Sequence, residues 1–285
     1  MYSNQEKVLK KYSKYKYTKP KIKYSTLCSI EGFQLTNVQK FLGEYIKTQK
    51  RILLYHGIGS GKTITIIHMC ENAGVYGKII VVTQASLVQP FYDELVKYDV
   101  ATKRFKYVNK KIYNEMLELE KTRMDRVLTR NEKIRLKRLK ISIMINLVKK
   151  YWVFSYERFI KRRFHDLGDQ NILVIDEVQN LLNKSSQIYH KTINDFKRGL
   201  KWNEGKKVGI ILSSATPVYD NFKDFFTTIN LLTFDDPFDY KIFIDPHKSE
   251  KEKKDHLKKL ITFINELAEQ LKAGGENENY NKEES

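Results

Sequence analysis

The stretch RILLYHGIGSGKTIT occupies positions 51–65. An apolar run, a glycine-rich turn and a return of apolar residues at helical spacing predict a strand, a loop and a helix in that order. Such a junction is an anion site, because backbone N–H groups and the positive end of the helix dipole converge on it. Gly57, Gly59 and Gly61 let the backbone take positive φ and approach a ligand closely. Lys62 is then expected to bridge the outer phosphates of a nucleotide, and Thr63 to turn its hydroxyl toward Mg²⁺. The expected nucleotide-binding set is His56, Gly57, Ile58, Gly59, Ser60, Gly61, Lys62 and Thr63. His56 stands where the pattern G-x-x-x-x-G-K-[ST] has its first glycine, so the loop alone reads as a phosphate cradle or as a tight turn, and its context decides.

That context is a series of short apolar runs: RILLYH, KIIVVTQ, YWVFSY, NILVIDE and KVGIILSSAT. Runs of this kind suit strands buried on both faces of a parallel sheet. Helical stretches alternate with them. GKTITIIHMCENA follows the loop; SLVQPFYDELVKY has Ser86 as its expected N-cap, with Leu87, Val88, Phe91 and Leu95 on one side; NFKDFFTTINLL closes the pattern. Strands alternating with helices predict a three-layer α/β/α fold with a mainly parallel sheet. Residues 103–150 break the rhythm with helix formers and no glycine or proline beyond residue 110, and are expected to form one long or two shorter basic helices. The expected organisation is a basic arm over 1–30, an α/β domain over 31–245 carrying that insertion, a helix over 246–273 and a polar tail over 274–285. Leu257, Leu260, Ile261, Ile264, Leu267 and Leu271 give the 246–273 helix its apolar side.

The chain has 285 residues, 41% hydrophobic and 30% charged, with no apolar run long enough to cross a bilayer and no signal-peptide pattern at its start. It reads as an intracellular soluble protein. Two cysteines, Cys28 and Cys70, make neither a disulfide framework nor a zinc pattern, and Cys70 is expected as a buried thiol. The net charge of +18 is concentrated: residues 1–24 carry +7 and residues 103–150 carry +11, leaving the rest neutral. Two basic segments on a neutral body imply a polyanionic partner, nucleic acid foremost; a solvated helix face and a free tail are the alternative.

Two further runs bear on chemistry. NILVIDEVQN ends an apolar strand in paired carboxylates, Asp176 and Glu177, and is expected to lie beside the strand that leads into the glycine loop. The first carboxylate is suited to hold Mg²⁺ with Thr63, the second to polarise an attacking water. IILSSATPVYDN ends another apolar strand in Ser214, Ala215 and Thr216.

Taken in order, Gln39, the GSGKT loop, DEVQ and SAT resemble the first RecA-like lobe of superfamily 2 (DEAD/DEAH-like) helicases and translocases. The wording is most similar to the branch in poxviruses, asfarviruses and giant viruses that includes nucleoside triphosphatase I and the early-transcription-factor ATPases. The segments carrying the resemblance are QKFLGEYI, LLYHGIGSGKT, VVTQASLVQPFYDEL, FSYERF, VIDEVQNLL and LSSATPVYDNFKDFFTTINLL, about residues 33–233. His56 fits that branch. The resemblance implies a P-loop (RecA-like) fold, ATP and Mg²⁺ as cofactors, and DNA or RNA as partner. It implies that Gln39 reads the adenine edge, that Lys62, Asp176, Glu177 and Gln179 are catalytic, and that Gln179 links the γ-phosphate to the SAT run. Ser214, Ala215 and Thr216 would couple nucleotide state to nucleic-acid grip, and Gln84, Ser86, Ser155 and Tyr156 would lie against the nucleic-acid backbone. A second lobe with arginine fingers is not evident after Asn230, so the chain is expected to be the ATP-binding half of such a motor in viral transcription or replication, in host cytoplasm or virion. A catalytically weak nucleotide-dependent nucleic-acid-binding or scaffold subunit is the alternative; a packaging-type ATPase fits the SAT run less well.

Overall fold

The computed structural model describes residues 33–49, 51–55, 61–74, 77–161, 171–183, 209–215, 228–232, 248–259 and 261–262. His56, Gly57, Ile58, Gly59, Ser60 and Thr216, the 1–30 arm and the 274–285 tail lie outside them. Five strands form one sheet: β1 (Arg51–Tyr55), β2 (Ile79–Thr83), β3 (Tyr151–Ser155), β4 (Ile172–Ile175) and β5 (Gly209–Ser214). Every pairing is parallel and the order is β1-β5-β4-β2-β3. The sheet is therefore the parallel α/β sheet predicted, with one correction: the carboxylate strand β4 is not beside β1, because β5 lies between them. The serine-rich end of β5 thus lies between the end of β1 and the carboxylate end of β4.

The central strands are apolar on both faces because both are covered. Ile52, Leu54, Ile79, Val81, Ile172 and Val174 pack on one face, against α1 (Asn37–Tyr45), α2 (Lys62–Asn72) and α3 (Val88–Ala101). The alternate residues Leu53, Ile80, Val82, Leu173, Ile175, Ile210 and Leu212 pack on the other, against α6 (Tyr156–Lys161), the start of α7 (Val178–Asn183) and the helical segment 228–232. The two sets are the two sides of the pleat. β3 departs from the prediction, since Trp152 and Phe154 are only half-buried at the sheet's edge.

Helix starts follow from side-chain caps. Thr36 and Gln39 form a reciprocal capping box that fixes α1. Gly43 of α1 lies so close to α2 that a β-carbon there would be 2.4 Å from the His68 ring. The expected Ser86 cap is not used. Residues Ala85–Leu87 make a 3₁₀ turn without a side-chain cap, and Leu87 points outward while Phe91 and Leu95 are buried.

The basic insertion is two helices, α4 (Lys110–Asp125) and α5 (Arg130–Val148), each with a polar cap at its start, Asn109 and Thr129. Buried Leu136, Leu139, Ile143 and Leu147 seat α5, and Leu128 anchors the turn. The connection from α3 is held by buried Asp99, whose carboxylate accepts the backbone N–H groups of Lys106, Tyr107 and Val108 at 2.9–3.0 Å. This grip accommodates Lys103 and Phe105 at positive φ. Beside it, the Glu71 carboxylate accepts hydrogen bonds from Tyr151 (2.6 Å), Tyr107 (2.8 Å) and Lys106 (3.0 Å). Burial would push Glu71 up, but these donors outweigh it and hold its carboxyl below the ordinary range. Cys70 is buried, as expected, and burial raises its thiol, so it is inert. Of the 246–273 helix, residues 250–259 and 261–262 are helical, with Leu257 and Ile261 exposed.

Candidate nucleotide site at the C-terminal edge of the sheet

All five strands point their C-terminal ends at one edge, where α/β sheets hold ligands. β1 leads toward the glycine loop, β4 ends at Asp176 and β5 at Ser214. α2 begins at Gly61, whose φ of +77° only glycine adopts without strain. No side chain caps this helix and its first turn carries no acidic residue, so its N-terminal N–H groups are left for an external anion. A β-carbon at Gly61 would stand 3.0 Å from Gln39 Nε2, and Gln39 itself is buried beside the loop. Its carbonyl oxygen is taken by the capping box, accepting from Thr36 N–H at 2.9 Å.

Lys62 reaches across to both carboxylates. Its ammonium is paired with Glu177 and lies 3.3 Å from Asp176. All three side chains are largely enclosed. Burial tends to raise Glu177, but Lys62, then Gln179 and the Ala215 N–H, hold it below the ordinary carboxylate range, so it is ionised. Gln179 links two runs: its amide donates to Glu177 at 2.6 Å and its oxygen accepts from Ser214 Oγ at 2.7 Å. Ala215 N–H adds a bond to Glu177 at 3.2 Å. The structure therefore gathers Gln39, Gly61, Lys62, Thr63, Asp176, Glu177, Gln179, Ser214 and Ala215 at one edge.

Two groups the sequence reading did not single out complete it. Thr83 and Ser213 donate hydroxyl hydrogen bonds to the two oxygens of Asp176, at 3.2 and 3.1 Å. The register explains them: Ile175 pairs with Val82 on one side and Leu212 on the other, so the next residue of each neighbour flanks Asp176. Their sequence signal was a hydroxyl residue directly after an apolar run, in KIIVVT and GIILS.

The expected nucleic-acid contacts divide. Gln84 and Ser86 are exposed just beyond β2. Ser155 and Tyr156 are corrected: both side chains are buried and cannot face a nucleic acid. Ser155 Oγ accepts the Arg158 N–H at 3.3 Å, capping α6, and Tyr156 packs in the core beneath the sheet. What that segment exposes is Glu157, Arg158 and Lys161.

The donor set fits a nucleotide with Mg²⁺. The open helix N-terminus and Lys62 suit phosphate oxygens. Asp176, oriented from both sides, with the Thr63 hydroxyl in the first turn of α2, offers the oxygen ligands that Mg²⁺ takes.

A family model described as the SNF2-related domain matches residues 33–273. A relative from Acanthamoeba polyphaga mimivirus, which bears the provisional name of an ATP-dependent RNA helicase, is 28% identical over 245 residues. The alignment covers 78% of this chain and 36% of the relative, so the chain spans about a third of that protein's length. The solved SWI2/SNF2 ATPase core of Sulfolobus solfataricus in complex with double-stranded DNA aligns with 68% of this chain and 34% of its own, at a TM-score of 0.41 and 17% identity. With the family model matched across most of its length, the chain belongs to the SNF2-related domain family.

Proposed function

We propose that this chain is the ATP-binding lobe of a nucleic-acid-dependent ATPase of the helicase and translocase type. The observation that carries the reading is the meeting of Lys62, at the uncapped start of α2, with Asp176 and Glu177. Bound Mg·ATP would supply an electrophilic γ-phosphorus whose charge the metal helps neutralise. Lys62, Thr63 and the N-terminal N–H groups of α2 bind the phosphates and, with Asp176, the metal. A phosphate drawn to Lys62 competes with Glu177 for its ammonium, which frees the Glu177 carboxylate to accept a proton from the attacking water. Gln179 passes the state of that carboxylate to Ser214 on β5. Gln39, buried beside Gly61, is assigned to the base.

The partner is DNA or RNA, held through exposed groups beyond β2 and β3 and through the basic hairpin α4–α5. The proposal extends to a setting in viral transcription or replication, in host cytoplasm or virion. A second RecA-like lobe, on further polypeptide or another subunit, supplies the arginines that complete the site; an arginine finger is worth about 10³–10⁵ in rate.

The test is binding of a fluorescent ATP analogue and ATP hydrolysis, each measured with no nucleic acid and with single- and double-stranded DNA and RNA. Wild-type protein is expected to bind the analogue and to hydrolyse ATP slowly, faster with nucleic acid, and Lys62→Ala to do neither. Equal behaviour of wild type and Lys62→Ala would refute the reading. Fast hydrolysis without a second lobe would refute the role given to the arginines.

A further inference from the structure

Tyr156 stands one residue past the end of β3, in a segment read from sequence as lying on nucleic acid, yet it is 1% exposed. Its ring belongs to the buried layer beneath the sheet that also holds Ile80, Val82, Leu173, Ile175 and Val178. From there its hydroxyl donates to two backbone carbonyls, those of Asp176 and Glu177, the latter at 3.0 Å.

The turn it grips is unusual. Glu177 has φ +51°, a left-handed backbone that a residue with a β-carbon keeps only where its surroundings hold it. The neighbouring bonds, Asp176 N–H to the Val82 carbonyl and Asn180 N–H to the Glu177 carbonyl, each 2.9 Å, fix the ends of the turn. The Tyr156 hydroxyl joins the two carbonyls between them. Rotating that turn would swing Glu177 away from Lys62, Gln179 and the Ala215 N–H, the groups that aim its carboxylate.

We propose that Tyr156 is a positioning residue: its buried hydroxyl holds the strained Asp176–Glu177 turn in the geometry that aims both carboxylates, and so ties them to the surface segment 157–161. The inference rests on the ATPase reading for its catalytic consequence and on geometry alone for the grip itself. Exposed Glu157, Arg158 and Lys161 share the short helix α6 with Tyr156, so whatever moves that helix pulls on the carboxylate turn. A buried tyrosine that merely finds a carbonyl partner would stabilise the fold without steering the carboxylates, and the two cases differ in what substitution does.

The test compares Tyr156→Phe, which removes only the hydroxyl, with Phe159→Leu, which thins the packing of the same helix and leaves the Tyr156 hydroxyl in place. Phe159 is 3% exposed and lies in the same core layer. Hydrogen–deuterium exchange is followed across the chain, with affinity for a fluorescent ATP analogue and single-turnover ATP hydrolysis measured alongside. For Tyr156→Phe, exchange is expected to rise at both 156–161 and 176–180, and hydrolysis to fall about tenfold with analogue affinity within about twofold of wild type. For Phe159→Leu, exchange is expected to rise at 156–161 only, with the single-turnover rate kept. Unchanged exchange at 176–180 in Tyr156→Phe overturns the proposal, as does a rate loss matched by an equal loss of affinity, or the same pattern in Phe159→Leu. If wild-type hydrolysis does not exceed that of Lys62→Ala, the ATPase reading fails instead, and the exchange pattern decides the grip on its own.

Discussion

The C-terminal edge of the sheet and the α4–α5 hairpin both gather charge, but in opposite ways. At the edge one lysine meets two carboxylates in a largely enclosed space; Asp176 is also fixed by hydrogen bonds from the two neighbouring strands, and Glu177 by Gln179 and the Ala215 N–H. On the hairpin the cations are many and exposed. Arg135 pairs with Glu115, Lys140 and Arg123 with Glu120, Arg126 with Glu132, and Lys121 with Glu118. Among the described residues Lys133 and Lys137 make no ion pair. Enclosed charges are poorly screened and geometrically fixed, so they can do directional chemistry. Exposed pairs contribute little stability and leave a diffuse positive field, suited to holding a polyanion without orienting it.

The largest effect that could break this contrast is at the edge. Glu177→Gln keeps the shape and one acceptor oxygen but removes the proposed base, and is expected to lower ATP hydrolysis about 100-fold or more while the affinity for a fluorescent ATP analogue is kept. A comparable loss of binding would mean that Glu177 serves the fold of the loop rather than the reaction.

Next comes the joint between the two regions. Asp99→Ala leaves three backbone N–H groups, two of them buried, without their acceptor and should cost about 3 kcal/mol in chemical denaturation. A cost under about 1 kcal/mol would show that water replaces the carboxylate and that the insertion is not anchored there.

A smaller, pH-dependent effect is expected at His68, which packs under Gly43 and bonds Tyr98 at 2.8 Å. Burial first, then Arg104, lowers its pKa from 6.5 to about 4. In the window between those values the unfolded chain binds a proton that the folded chain refuses. His68 therefore imposes no penalty above 6.5, and stability falls as pH drops from there toward 4. His68→Gln should flatten that part of the stability–pH curve, measured by denaturant midpoints between about pH 7 and pH 4. An unchanged slope would assign it to other groups.

The smallest effect belongs to the hairpin. Replacing Lys133 and Lys137 with alanine should leave ATP-analogue binding and the unfolding midpoint alone. The dependence of oligonucleotide affinity on salt should lose about one unit of log–log slope for each lysine that meets a phosphate. An unchanged slope would make this face a solvated one.

Much of the fold was legible because apolar runs alternating with helical periodicity permit few arrangements other than a covered parallel sheet. The core of the site was legible too: Gly61, Lys62, Asp176 and Glu177 are types whose chemistry declares itself at the end of an apolar strand. Strand order was not. Nothing local in NILVIDE or GIILSS says which lies next to β1, since both are apolar and equally at home in the middle of a sheet. Nor was the role of Ser155 and Tyr156 legible, because hydroxyl and aromatic residues after an edge strand read equally well as surface contacts or as a cap and a core ring.

The sequence by itself determined the class of sheet, the glycine-led helix start at 61–63, the paired carboxylates and the separation of the basic hairpin from a neutral body. Each is written in spacing, charge or backbone freedom over a few consecutive residues. Only the tertiary structure decided that β5 sits between the loop strand and the carboxylate strand, that Thr83 and Ser213 flank Asp176, and that Tyr156 turns inward to hold the left-handed Glu177. Those depend on register between strands far apart in the chain, and register is set by how two whole faces of the sheet bury their side chains, which no local stretch encodes.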